Sequence, residues 1–144
     1  LEGQTVSILA DGAVMPQQVV TNGAVDLDSP ASKVIVGLPF EADAKTLPLT
    51  MQNKSALGGG IKKNIIQAFL QVYRSSGVFV GPDFDNLTEY KQRTTEMPGK
   101  PPELKTEEIE LRLAPTWQTE GSVCIRQADP LPLTVQGLVL NVST

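Results

Sequence analysis

The chain has 144 residues, a formal net charge of −4 and no histidine. Its length allows one domain, or two very small ones that share a core, and no apolar run approaches the roughly 20 residues needed to cross a bilayer. The chain therefore lacks the commonest general base and zinc ligand, and its positive charges are scattered apart from Lys62-Lys63. These properties argue against an enzyme, a cofactor, a membrane partner and specific nucleic-acid binding. The first residue is Leu1 rather than Met, so we expect a piece of a longer protein.

The first forty residues predict a small β-barrel or meander. An alternating stretch leads to Asp11-Gly12, a dipeptide typical of hairpin turns because both residues tolerate positive φ. Residues 13–15 are the expected return strand, which Pro16 ends. Residues 17–21 then start another strand, which leads to a second turn dipeptide, Asn22-Gly23.

Residues 33–40 alternate again and predict a strand that closes this first unit. We expect residues 41–45 to be a polar connection and residues 52–60 to be a flexible loop that ends in three glycines. The side chains predicted to share one face of the strand are Val34, Val36, Leu38 and Phe40.

Residues 61–73 match both a helical and a strand period. We predict a strand, because alternate residues are apolar and no N-cap residue follows the glycines. Ser75-Ser76-Gly77 and the apolar residues 78–80 then predict a hairpin with this strand.

Residues 81–106 are polar and rich in proline, which predicts a long loop with one short strand near residues 87–93. Loops of this length are usually functional or form an interface. The candidate interface or ligand residues are Asp83, Asp85, Tyr90 and Trp117.

The C-terminal part predicts further core strands. Residues 107–113 alternate strictly between charged and apolar side chains. Residues 123–125 begin an apolar ribbon that turns a corner at Asp129-Pro130-Leu131-Pro132, where the prolines exclude a helix. The apolar phase changes at Gly137, which predicts a bulge or bend there.

The predicted fold class is therefore all-β. Residues 1–50 are expected to form the small β-barrel or meander, which packs with or continues into an antiparallel β-sandwich over residues 51–144. The two parts could share one core.

Several groups of residues suggest chemistry but fit a structural role better. Gly58-Gly59-Gly60 lacks the spacing of a phosphate-binding loop, and residues 83–86 lack the glycine and distal glutamate of a calcium loop. Glu107 and Glu108 could supply a pair of carboxylates for acid–base catalysis, but adjacent residues of a strand point to opposite faces. Cys124 has no histidine to activate it, and we expect it to be a small core residue. An aromatic surface of Tyr73, Tyr90 and Trp117 for stacking sugars is the remaining alternative.

Four stretches resemble, in their order along the chain, a tail protein family of short-tailed phages and prophages. They are residues 1–12 (LEGQTVSILADG), 36–40 (VGLPF), 46–49 (TLPL) and 129–135 (DPLPLTV). The family resembles the nozzle-type tail component, a large β-rich protein whose copies form a ring below the portal and adaptor, around part of the DNA exit channel. The first forty residues look like its small β-barrel, which is similar to the FCCH domain of ubiquitin-activating enzymes and implies no ubiquitin chemistry.

The resemblance implies the C-terminal region of a larger tail protein that acts by protein–protein assembly without catalysis. Its implied partners are other tail, portal or adaptor proteins and further copies of itself. Its implied location is the virion tail and, during assembly, the bacterial cytoplasm. The alternative is a host-surface or glycan-binding module of a tail protein, which a β-barrel, a long loop and a few aromatic residues also suit.

Overall fold

A computed structural model describes residues 1–53, 56–58, 61–90 and 100–144 of the chain. These residues form β-strands and no helix, which confirms the predicted all-β class. Accordingly, the described residues contain no helix with the length and apolar character needed to cross a membrane. The strands are β1 (Thr5–Ala10), β2 (Ala13–Val19), β3 (Val34–Gly37), β4 (Ala42–Lys45), β5 (Met51–Asn53), β6 (Ala56–Gly58), β7 (Lys63–Val72), β8 (Phe79–Gly81), β9 (Thr88–Glu89), β10 (Glu108–Arg112), β11 (Trp117–Gln118), β12 (Cys124–Gln127) and β13 (Val135–Ser143).

The N-terminal unit is a three-stranded antiparallel sheet in the order β2-β1-β3. Asp11 and Gly12 both have positive φ and join β1 to β2 in a two-residue turn, as predicted. Asn22 and Gly23 form the second predicted turn, also with positive φ. A small core of buried residues, with Val6 and Ile8 at its centre, lies on one face of the sheet. Within the described residues the sheet does not close into a barrel.

The prediction that Pro16 ends the return strand is wrong, because β2 runs through it from Ala13 to Val19. The strand tolerates this proline for two reasons. It lies at the edge of the sheet, and the pairing with β1 shifts register between Val6 and Ile8, opposite the proline. A proline at an irregular edge position leaves no ladder hydrogen bond unmade.

The predicted strand over residues 33–40 is shorter, since β3 ends at Gly37. The side chains predicted to share one face of this strand are exposed. The exposed fractions are 41% for Val34, 39% for Val36, 55% for Leu38 and 74% for Phe40. Alternation therefore predicted the strand but not its burial, because no described element packs on it closely enough to cover these side chains.

Eight of the remaining strands build two antiparallel sheets around one larger core, and β5 and β6 pair separately. In the first sheet, β10 and β11 pair with one edge of β7 and β13 pairs with the other. The second sheet has the order β4-β12-β8-β9. Both sheets contribute buried side chains to this core, including Leu70 from β7, Leu111 from β10 and Val80 from β8.

The ten-residue strand β7 and the strand β10 confirm the predictions made for residues 61–73 and 107–113. Ile109 and Leu111 are buried while Glu108 and Glu110 are exposed, so the apolar side chains of the alternating pattern face the core. The pairing of β13 with β7 shifts register between Val135 and Gly137, which confirms the predicted bulge.

Three predicted connections differ in the structure. Residues 41–45 were expected to be a polar connection, but residues 42–45 form β4 and pair with β12. The exposed residues of β4 carry no apolar alternation, so the strand exists because of its partner. The expected loop over residues 52–60 contains the β5–β6 pair, and its residues 54–55 and 59–60 lie outside the described residues.

The predicted hairpin over residues 75–77 is wrong, because β8 pairs with β12 and β9 rather than with β7. The turn hydrogen-bonds to other segments instead: the backbone of Ser75 pairs with Lys105, and the N–H of Ser76 donates to the carbonyl of Pro132. In the predicted loop over residues 81–106, a short strand was expected near residues 87–93. Thr88–Glu89 form β9, and residues 91–93 lie outside the described residues. The predicted division at residue 50 stays a prediction.

Candidate functional site

The densest run of exposed large apolar side chains among the described residues is the segment of residues 34–40, which we call the edge segment. It comprises β3 and the three residues after it. Five of its side chains are large, apolar and exposed: Val34, Ile35, Val36, Leu38 and Phe40. Val34 and Val36 lie on one face of the sheet and Ile35 on the other, so apolar side chains flank this edge on both faces. Exposed apolar groups concentrated in this way often mark an interaction site.

The backbone of β3 also has unpaired hydrogen-bonding groups. The Asp11 N–H donates to the Lys33 carbonyl at 2.8 Å, so the backbone groups of residue 33 point toward β1. Because these directions alternate along a strand, Ile35 and Gly37 also point toward β1, whereas Val34 and Val36 point away from it. No described strand pairs with that outer edge. The N–H and C=O groups of Val34 and Val36 are therefore available to another strand.

An apolar groove lies beside the edge segment, with a volume of about 250 Å³. One wall is the face of the N-terminal sheet that carries Leu9, Ile35 and Gly37, and Phe40 lies at the same cavity. The other wall is residues 128–130, which follow β12. The groove thus lies where the N-terminal unit meets the predicted corner of the C-terminal ribbon.

Asp129 is the acidic group in this groove. Its carboxylate makes no hydrogen bond or ion pair to a described residue, and burial raises its pKa above the ordinary value of 3.8. A charged carboxylate that loses water without gaining a partner is disfavoured. A ligand or partner that brings a hydrogen-bond donor into the groove would satisfy this group.

A charged cluster flanks the other side of the connection between β3 and β4. Arg126 donates two hydrogen bonds to Asp43, at 2.7 and 2.8 Å, and lies 3.5 Å from Glu41. Its guanidinium also lies 5.0 Å from the ring centroid of Phe84, a cation–π distance. The Asp43 partner is the main reason that the pKa of Arg126 is raised and that of Asp43 is lowered. The two hydrogen bonds between Arg126 and Asp43 hold β4 to β12, while Glu41 keeps a largely exposed side chain.

The structure places the predicted site residues Asp83 and Asp85 in one tight turn. The carboxylate of Asp83 accepts hydrogen bonds from the Asp85 N–H at 3.0 Å and from the Asn86 side chain at 2.8 Å. This arrangement caps the turn. Asp83 therefore already has partners. Asp85 lies close enough to Arg126 to favour the charged form of the arginine.

The aromatic candidates lie apart from one another. Tyr90 packs against the larger core, and its N–H donates to the Val78 carbonyl. Trp117 is 55% exposed and pairs with Asn64, at the start of β7. Tyr73 follows the other end of that strand, roughly 30 Å away at 3.3 Å per residue. Trp117 and Tyr73 therefore do not form one stacking surface.

Cys124 is buried, as expected, and burial raises the pKa of its thiol. A raised pKa disfavours the thiolate that a nucleophilic cysteine needs. Glu110 faces solvent on β10, where it accepts a hydrogen bond from Gln67 and lies 3.9 Å from Arg112. Among the described residues, no group of three or more acidic, cysteine or histidine side chains could hold a metal ion.

Sequence reasoning missed the groove and the role of Asp129, and it did not predict that the edge segment is exposed. A usable signal was present, because an aspartate in an otherwise apolar ribbon is unusual unless it turns the chain or faces a cavity. The edge segment gave no such signal. Its alternation is the same whether a second layer covers it or not.

A scan against protein-family models finds no match to this chain. A comparison with curated proteins likewise gives no significant relative.

Proposed function

We propose that this chain is a structural module of a phage or prophage tail, which acts by protein–protein assembly and not by catalysis. The observation that carries the assembly role is the edge segment, where exposed apolar side chains coincide with unpaired backbone groups on the outer edge of β3. An added strand would pair with those groups and place its own side chains beside the exposed ones on each face of the sheet. The assignment to a tail rests on the collinear motifs in residues 1–12, 36–40, 46–49 and 129–135.

The chemistry of the described residues supports an assembly role better than turnover. The charged groups that lie close together, such as Arg126 and Asp43, already bind one another. Asp83 caps a turn, and Cys124 is buried. The groove at Asp129 has mostly apolar walls, with Ser7 and Asp129 as its polar side chains, which suits a partner side chain rather than a reaction.

In this role the parent protein would lie in the virion tail and would contact other tail, portal or adaptor proteins. Mass spectrometry of purified particles from the phage or induced prophage that encodes the chain tests this directly. We expect the parent protein in the tail fraction. Its absence from intact particles would overturn the proposal.

A second experiment tests the surface within the particle. Phe40→Asp replaces the most exposed apolar side chain of the edge segment with a charge, at a residue that belongs to neither hydrophobic core. We expect this variant to fold but to enter particles less than the unaltered protein. Leu47→Asp, at a side chain that is 86% exposed outside the segment, is the matched control and should assemble normally.

A glycan-binding module of the tail is the second candidate, favoured by the exposed Trp117 indole. A glycan array probed with the chain and with Trp117→Ala separates the two functions. Binding that disappears with Trp117→Ala would favour the carbohydrate role, and an array without hits would count against it.

A further inference from the structure

We infer that the partner of the edge segment is a second copy of this chain, which docks antiparallel through β3 with Gly37 at the two-fold axis. This inference rests on the proposed function, because it names the partner of the same surface. It is carried by three features of the segment: its charges, its glycine and its proline.

The charges at the two ends of the segment are opposite. Lys33 precedes β3 and forms no ion pair with a described residue. Glu41 follows Phe40; one of its oxygens lies 3.5 Å from Arg126, and its side chain is still 58% exposed, so it can also face a second cation. In an antiparallel pair centred on Gly37, Lys33 of each copy lies opposite Glu41 of the other. The same register sets Val34 opposite Phe40, and Val36 opposite Leu38. The segment is therefore complementary to itself in both charge and apolar character.

Gly37 has no explanation within its own chain. Its φ is not positive, and a methyl group at this position would have no neighbour within 4 Å. Glycine weakens a strand unless a close backbone approach requires it. At the two-fold axis Gly37 would face its own copy as a non-hydrogen-bonded pair, in which the Cα atoms lie only about 4.5 Å apart. A residue without a side chain leaves room for the two backbones to approach this closely.

Pro39 is compatible with this pairing. The backbone groups of Val34 and Val36 point outward, so odd-numbered residues point the other way if the segment stays extended. The missing N–H of Pro39 would then not be needed by the partner. Leu38 and Phe40 would present their backbone groups to the second copy instead, and neither makes a backbone hydrogen bond to a described residue.

A contact of this kind closes after two copies, since each copy presents the same surface. It joins chains in pairs and does not by itself build a ring. A ring of such pairs would need another surface on each copy.

The test is sedimentation velocity of the chain over a range of concentrations, together with cross-linking of a cysteine variant. We expect a concentration-dependent dimer and no larger species. Gly37→Cys should form a disulfide-linked dimer under mild oxidation, because paired Cα atoms near 4.5 Å suit a disulfide. Val19→Cys, at an exposed position on the opposite edge strand β2, is the matched control and should cross-link far more slowly.

Charged substitutions provide a second readout that does not depend on cysteine. Val36→Lys should weaken dimerisation by about tenfold or more, while Val19→Lys should leave it unchanged. Lys33→Glu should also weaken it, and adding Glu41→Lys should restore it. Circular dichroism confirms that each variant is folded before it is scored.

A chain that stays monomeric, with Gly37→Cys cross-linking no faster than Val19→Cys, would overturn the inference. Oligomers that are insensitive to Val36→Lys would overturn it as well. A monomeric chain whose parent protein is present in particles would refute the self-pairing and leave the proposed function standing. A dimeric chain whose parent protein is absent from particles would support the self-pairing and refute the proposed function.

Discussion

Arg126 lies directly opposite Asp43 in the β12–β4 ladder and donates two parallel hydrogen bonds to its carboxylate, from Nε at 2.7 Å and from Nη2 at 2.8 Å. This geometry matches the two oxygens of a carboxylate to the planar guanidinium. It also explains how a strand with no buried side chain is held in the sheet.

We expect Arg126→Ala to lower the melting temperature at neutral pH and to reduce the acid sensitivity of the fold. The pair holds the pKa of Asp43 below its ordinary value of 3.8. The stability from this pair is therefore present above that value and is lost as the pH falls through the lower, folded pKa. Thermal melts of both proteins from pH 7 to pH 2 measure the difference. An unchanged gap between them across this range would contradict the prediction.

Ser75→Ala should destabilise the fold by about 2 kcal/mol, because it removes a buried hydroxyl that bonds the backbones of two neighbouring segments. The Ser75 hydroxyl accepts a hydrogen bond from the Thr134 N–H at 2.7 Å and lies 2.8 Å from the Tyr73 carbonyl. Ser122→Ala is the matched control, since its buried hydroxyl has no hydrogen-bond partner among the described residues. Urea unfolding should show a clear loss for the first variant and little or none for the second.

Lys63→Met should lower stability by about 2 kcal/mol, the usual scale for hydrogen bonds to a charged group. The Lys63 side chain is buried, and its ammonium donates to the Thr119 carbonyl at 2.7 Å and to the Ile61 carbonyl at 3.3 Å. Methionine keeps the apolar stem but leaves both carbonyls without this donor. Lys62→Met, at the exposed neighbouring position, controls for the loss of one positive charge. Equal unfolding free energies for the two variants would refute the role of the buried ammonium.

Gly81→Ala should cost about 3 kcal/mol, because an added methyl group would overlap with the backbone carbonyl of Asn86. That carbonyl belongs to the turn that Asp83 caps, so the turn would have to move. Gly137→Ala is a suitable comparison, since its methyl group would lie 3.7 Å from the Gln71 side chain, an ordinary contact. Calorimetric melts of the two variants distinguish a steric effect at Gly81 from a general preference for glycine.

Asp129→Asn should raise the melting temperature at neutral pH. Burial raises the folded pKa of Asp129 above 3.8, so the folded state binds the proton more tightly than the unfolded state does. Stability therefore falls as the pH rises from about 3.8 through the folded pKa, and the asparagine variant avoids this loss. The advantage of the variant should shrink as the pH approaches 4. Asp28→Asn, at an exposed carboxylate, controls for the change in net charge.

Local signals predicted much of the fold. The turns at Asp11-Gly12 and Asn22-Gly23 follow from residues that tolerate positive φ, and both have it. The strict alternation in residues 107–113 predicted β10 with its buried face, and the phase change at Gly137 predicted the bulge in β13. In each case the determining interaction lies within a few residues of chain.

The candidate site was less accessible to sequence reasoning. The edge segment has the pattern of a core strand, yet Phe40 is 74% exposed. Asp129 became a candidate only once residues 128–130 were seen to form a wall of the groove beside Ile35. Of the four residues singled out from the sequence, Asp83 caps a turn and Tyr90 packs on the core, while Asp85 and Trp117 remain accessible.

The sequence by itself determined that this protein is all-β, where its tight turns fall and where its last strand bulges, because each depends on local backbone preference and side-chain period. Only the tertiary structure decided that β4 pairs with β12 and that the outer edge of β3 has no described partner. It also decided that β8 pairs with β12 in the second sheet and not with β7 in the predicted hairpin. Those outcomes depend on contacts between residues far apart in the chain. The free energy of such contacts depends on which surfaces meet, and no local pattern records that choice.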